Sequence, residues 1–135
     1  MKFVRVLILS LFLLPLAAFG RAAPLIDPPP IDVPAKVTTA KVEKIVKEVL
    51  IAREWIPRAA GAGKIEAVHS GGNFSAKIEV SYAAKRITIK YLDSINLHFE
   101  DKAGTRYIHG NYNKWINNLV KDLNLRLAQE SFSAQ

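Results

Sequence analysis

The stretch Phe74-Ser75-Ala76-Lys77-Ile78-Glu79-Val80-Ser81-Tyr82 alternates apolar and polar side chains without a break. A period of two puts every apolar member on one face of an extended chain and every polar member on the other. Ile87, Ile89 and Tyr91 keep the alternation against Thr88 and Lys90 after a link at Ala83-Ala84-Lys85, which predicts a hairpin. Upstream, Ile65, Ala67 and His69 alternate with Lys64, Glu66 and Val68, and Gly71-Gly72-Asn73 supplies the intervening turn. One-sided alternation of this kind belongs to an antiparallel sheet with one face covered and one facing water.

The cover is written on either side of these strands. From Thr38 to Glu54 the period becomes helical, with Val42, Ile45, Val46, Val49 and Leu50 on one stripe and Lys41, Lys44, Lys47 and Glu48 away from it. Thr38 or Thr39 caps the start, Trp55 follows the end, and Pro57 denies the helix another turn. A second helix, about Asn111 to Gln129, carries the stripe Tyr112, Trp115, Ile116, Leu119, Leu123 and Leu127. Residues 92–110 between them are irregular, with a turn at Asp101-Lys102-Ala103-Gly104 and a possible short fourth pairing of Leu97 and Phe99 with Tyr107. The economical solution is an α+β, two-layer sandwich: a three- or four-stranded antiparallel sheet with two helices on one face. Its expected core is Ile45, Val49, Trp55, Ile65, Ile78, Val80, Ile87, Ile89, Tyr91, Trp115, Leu119 and Leu123.

The remaining segments bear on compartment and organisation. Lys2 and Arg5 precede an apolar run from Val6 to Phe19 that contains Pro15 and ends in Ala18-Phe19-Gly20, the three parts of a secretory signal peptide. The run is shorter than the ~20 apolar residues of a membrane span. Residues 1–20 are therefore expected to be a signal peptide, cleaved after Gly20, Ala22 or Ala23, and the mature chain to be periplasmic or secreted. The chain has no cysteine, which excludes disulfides, thiolate chemistry and a lipid-bearing N-terminal cysteine, so no stable membrane anchor is expected after cleavage. Five of the seven prolines fall in residues 21–34, and residues 21–37 are expected to be an extended Pro-rich linker ahead of one domain over 38–130. Of the 19 Lys and Arg residues, Lys2 and Arg5 leave with the leader, so 17 basic residues face 12 acidic ones in mixed order. With no basic stripe and no interleaved aromatics, nucleic acid is not an expected partner.

Residues that bear chemistry are few. Ser94 and Asn96 lie where a strand gives way to loop, with Asp93 beside them and His98 close by. No G-x-S-x-G elbow surrounds Ser94, so a hydrolase ranks last among the readings. His69, His98 and His109 show no pairwise spacing of a metal site, and no metal or cofactor is expected. His109 and Asn111 stand at the start of the last helix, where such side chains satisfy open amides. The ligand-binding candidates are thus Ser94, Asn96, His98, His109 and Asn111, with a groove lined by tyrosine rings conceivable where residues 92–110 cross the sheet edge.

Val80-Ser81-Tyr82, Ile87-Thr88-Ile89-Lys90-Tyr91, Asp93-Ser94-Ile95-Asn96-Leu97 and Ile108-His109-Gly110-Asn111-Tyr112-Asn113-Lys114-Trp115 follow one another in that order. Together with Arg53-Glu54-Trp55 they resemble a group of small, uncharacterised bacterial envelope proteins and lipoproteins, over roughly residues 38–127. The Ile-His-x-Asn-Tyr-Asn-x-Trp run is the most specific part. The resemblance implies an envelope location and this α+β fold, but no activity; the lipobox cysteine of many such proteins is missing here.

The sequence therefore points to a non-enzymatic binding or interaction module of the cell envelope, whose partner would be an envelope protein, a peptide or a wall component. The alternative is a small-ligand or metal-binding protein using the Asn96, His98 and His109 region. The exposed polar sheet face with Lys77, Glu79, Thr88 and Lys90 favours the first.

Overall fold

A computed structural model of the protein describes residues 22–134; the signal peptide expected over residues 1–20 lies outside them. The elements run β1 (Ala22–Pro24), β2 (Ile31–Asp32), α1 (Thr39–Ala52), β3 (Ile56–Ala59), β4 (Lys64–Ser70), β5 (Ser75–Tyr82), β6 (Arg86–Ile95), β7 (Glu100–Lys102), β8 (Thr105–His109) and α2 (Gly110–Ser133). The fold is α+β, with two antiparallel sheets in place of the single one expected. The larger has five strands in the order β2-β6-β5-β4-β3, and the smaller has three in the order β1-β8-β7.

The alternating segments form the centre of the larger sheet. Ile65, Ala67, Ala76, Ile78, Val80, Ile87 and Ile89 are all buried on one face. Ile65 lies opposite Val80 and Ala67 opposite Ile78, while Val80 lies opposite Ile89. Both helices cover that face, α1 with Val42, Ile45, Val46, Val49 and Leu50, α2 with Tyr112, Ile116, Leu119, Leu123 and Leu127. Ion pairs step down the helix–helix seam: Lys41 with Glu130, Glu48 with Arg126, Arg53 with Asp122. Numbers rise on one helix as they fall on the other, so the two run antiparallel. Such exposed pairs set register more than stability. The other sheet face carries Glu66, Lys77, Glu79, Ser81, Thr88 and Lys90, with Glu66 joined to Arg58 and Lys77. Of the expected core, Tyr91 and Trp115 pack against the buried cluster but stay partly exposed, and the rest is buried.

A register shift between Lys77 and Ile78 opposes Asp93 to Lys77 and Tyr91 to Ile78, leaving Leu92 as an extra residue on β6. A bulge of this kind increases local twist. Past it, β6 extends to Ile95, and the short pairing expected downstream is the β7–β8 hairpin, with Glu100 opposite Tyr107.

The Pro-rich segment is the main correction. It is extended, as proline requires, but it does not stand off the domain as a linker. β1 pairs with β8 through Ala22–His109, Ala23–Ile108 and Pro24–Tyr107, and β2 pairs with β6 through Ile31–Ile87 and Asp32–Arg86. Leu25, Ile31, Val33 and Val37 are buried in the common core. Pro28, Pro29 and Pro30 lie between the two strands and Pro34 after the second, where no ladder amide is needed, while Pro24 ends β1 opposite Tyr107. Apolar residues interleaved with proline therefore form edge strands here, and residues 22–37 belong to the domain.

The four anchors give a direct test. Burying four aliphatic side chains stabilises by roughly 6–12 kcal/mol, which is comparable to the whole stability of about 5–15 kcal/mol for a domain. A chain starting at Thr38 should therefore lack a cooperative thermal transition by circular dichroism. A melt matching that of the longer chain would restore the linker description.

Candidate functional site

The end of α1 sets up a cleft. Arg53 is the C-cap, the Trp55 amide donates to the Leu50 carbonyl at 2.9 Å, and the Glu54 amide donates to the Ile51 carbonyl at 3.0 Å. This pair of bonds is a Schellman ending, which requires a left-handed residue just past the cap. That residue is Glu54, at φ +64°. Glycine is the usual occupant because a Cβ in this conformation crowds the backbone. The left-handed turn ends the helix at Ala52, before the proline does, and drives Trp55 into the core against Leu50, where both are buried.

His69 meets this turn from the sheet. It lies near the end of β4 on the same face as Ile65 and Ala67, opposite Ala76. The small side chains of Ala67 and Ala76 leave room above the sheet, and aromatic rings occupy it. The His69 ring is 4.7 Å from Trp115 in an edge-on arrangement, 5.3 Å from Trp55 and 5.9 Å from Phe74. Phe74 stacks on Trp115 at 5.3 Å. His69 Nδ1 is 3.2 Å from the Glu54 carbonyl oxygen. A carbonyl only accepts, so Nδ1 is the donor in this contact.

Beside this cluster opens a cleft of about 370 Å³ lined by Arg53, Glu54, Trp55, His69, Trp115 and Asn118. Trp115 is half-buried, Trp55 is only 1% exposed and forms the back wall, and Asn118 follows Trp115 by one helical turn. Arg53 is bound in a fork to Asp122, Nε to Oδ2 at 2.7 Å and Nη2 to Oδ1 at 3.2 Å. The hydrogen bond to Asp122, ahead of its charge, raises the pKa of the guanidinium. The hydrogen bond from Arg53 holds the Asp122 carboxyl below its ordinary range, against a smaller opposing effect of desolvation. A second cleft of about 260 Å³ lies between Asp27, Pro28 and Pro29 of the N-terminal segment and Asn113, Ile116 and Asn117 of α2.

Neither cleft takes a lining residue from the five candidates named by the sequence. Ser94, Asn96 and His98 follow β6, and the His109 amide donates to the Leu97 carbonyl at 2.8 Å, which brings the end of β8 alongside them. Their polar groups serve local structure. The Ser94 hydroxyl is 2.7 Å from Tyr91 Oη, and its amide donates to Asp93 at 2.8 Å. Asn96, left-handed at φ +55°, donates from its amide to the Asn73 carbonyl. His109 is the N-cap of α2, its Nδ1 accepting from the Asn111 amide at 3.1 Å. His98 is exposed and also left-handed, at φ +54°. Tyr91 stacks on Phe99 at 4.7 Å and meets Tyr112 edge-on at 5.6 Å. Among the described residues, no three His, Asp or Glu side chains gather as metal ligands.

In the sequence, His69 stands as a strand position and Trp115 as a core position, not as a site; the one signal for His69 is a polar residue on an otherwise apolar face. The chain matches no known protein family, no characterised protein and no solved structure. The likeness to small envelope proteins thus rests on its quoted residues alone.

Two outcomes follow from this geometry. Glu54→Gly should stabilise the fold by about 0.5–1 kcal/mol, because relief of left-handed crowding exceeds the extra freedom glycine gives the unfolded chain; chemical denaturation measures it. A carboxyl whose folded pKa is depressed stabilises the fold above its unfolded pKa and loses that contribution as pH falls through the folded value. Asp122→Asn should therefore melt below the unsubstituted protein at pH 7, and the difference should vanish well below about pH 4.

Proposed function

We propose that the protein is an exported, non-catalytic binding module that receives its ligand in the Trp55–His69–Trp115 cleft. The observation that carries this reading is convergence: the two tryptophans of the chain, Trp55 after the end of α1 and Trp115 in the start of α2, meet one imidazole at one open cleft. A concave site with aromatic walls and a few converging polar groups is the usual form of a ligand site. Glu54 adds to the argument, since the turn that shapes the cleft places a carboxylate where glycine would be more stable. Backbone strain tends to persist where function requires it.

The non-catalytic part is supported by what surrounds the only serine candidate, Ser94, whose hydroxyl pairs with a tyrosine rather than a base. Export is supported by the leader-like composition of residues 1–20. An envelope location would supply a wall component, a peptide or another envelope protein as the partner.

Because both tryptophans border the cleft, their emission reports on its occupancy. Titrating the purified protein with solubilised envelope fractions should give a saturable emission change from at least one of them. The active fraction should also raise the melting temperature, by about 2.7 kcal/mol of stability at a hundred times the dissociation constant. Both responses should weaken in Asn118→Ala. A melting shift without an emission change would place the ligand elsewhere and overturn this site.

A further inference from the structure

We propose that the ligand taken by this cleft is a neutral saccharide, stacked by one pyranose face on the indole of Trp115; the proposal rests on the binding reading above and narrows it to a chemical class. The argument proceeds by charge and shape. The cation bordering the cleft, Arg53, is already held in a two-point contact by Asp122, and Glu54 adds a negative charge on the same rim. An anion would meet a neutralised guanidinium and a repelling carboxylate, so phosphate and carboxylate ligands fit poorly. An alkylammonium group is recognised by entering the centre of an aromatic cage. Here that centre, among Trp55, Phe74 and Trp115, is filled by the His69 ring at 4.7–5.9 Å from each. A purely apolar ligand would leave the polar groups of Asn118 and Glu54 without partners.

What fits is a ring with an apolar C–H face and hydrogen-bonding groups around its edge. Phe74 stacks on one side of the Trp115 indole and does not line the cleft, so the partly exposed side that borders the cleft is the one to take the sugar face. Asn118, three residues further along α2, offers both a donor and an acceptor, and the Glu54 carboxylate accepts from hydroxyls. The cleft of about 370 Å³ is at the small end of the roughly 300–1,000 Å³ of ligand sites, which suits one or two sugar rings.

Tryptophan emission decides between outcomes. The purified protein is titrated with chitobiose, cellobiose, maltose and lactose, and in parallel with choline, inorganic phosphate and a solubilised envelope peptide fraction. A saturable change with at least one disaccharide is expected, with the dissociation constant raised about tenfold in Asn118→Ala, the loss of one well-placed hydrogen bond. Asn118 is outside the buried core, so this variant should melt like the unsubstituted protein; Trp115→Phe, which keeps a flat ring of smaller area, should weaken binding less than Trp115→Ala. Silence across the four disaccharides with a saturable response to choline, phosphate or peptide would overturn the saccharide class and leave the cleft as a binding site. Silence toward every probe would overturn both. A disaccharide response unchanged by Asn118→Ala and Trp115→Ala would also overturn the proposal.

Discussion

The carboxylate of Asp27 holds the two sheets to each other. One oxygen accepts from the Tyr91 amide on β6 at 2.9 Å, and the other accepts from the Arg106 guanidinium on β8 at 3.3 Å. The Tyr91 amide lies beyond the two residues of β2, so a side chain there stands in for an edge strand that the chain does not continue. The prolines on either side keep the segment extended across the gap without offering amides that would need partners. Leu25 and Ile31, flanking the same stretch, enter the core from the two sheets. The Asp27 charge also raises the pKa of the Tyr112 phenol, although burial of that ring is the larger cause. Remove this crossing and β1, β2 and the packing above them go together.

The placement of the cleft depends on that arrangement at one remove. α2 begins where β8 ends, with His109 as both the last strand residue and the helix cap. The Asn113 side chain donates to the Pro24 carbonyl at 3.0 Å, which ties the first turn of α2 to β1. Trp115 lies two residues on, and its direction follows from the seating of that turn. From the other side, the Schellman ending of α1 fixes Trp55 and aims the Glu54 carbonyl at His69. Two helix ends, one anchored by a strand and one by a left-handed turn, thus bring the rings together.

The parts of the fold that announce themselves in sequence are those with a clean period. The alternation through β4, β5 and β6 and the stripes of α1 and α2 name the covered face, and nearly every expected core residue is buried. What escaped has a physical cause in each case. β1 and β2 are too short to show a period, and prolines around them read as a spacer although Leu25, Ile31, Val33 and Val37 interleave them. β3 begins at Trp55's neighbour and contains Pro57, which is tolerable only because β3 is an edge. The expected polar candidates, Ser94, Asn96, His109 and Asn111, carry hydrogen-bonding groups because strand ends and helix starts need them. The cleft residues are scattered over residues 53–118, and only tertiary packing makes them neighbours.

Three choices in that cleft run against what the fold alone would favour. A glycine would sit more easily than Glu54 in the left-handed turn, an aliphatic residue would suit the face that His69 shares with Ile65 and Ala67, and a partly exposed indole at Trp115 leaves apolar surface wet. Departures occur elsewhere too, but scattered: Asn96, His98 and Ala103 are also left-handed, and Ile26, Ile56 and Phe132 are exposed, while the strands are β-branched inside and Thr38 caps α1 through its hydroxyl. At Glu54, His69 and Trp115 three such departures border one cleft, the kind of local conflict expected where a site is built on a fold. Each departure adds something a binding surface uses: a carboxylate on the rim, an imidazole among rings, and a flat accessible indole. The same three residues would be poor choices for a wall that only had to exclude water.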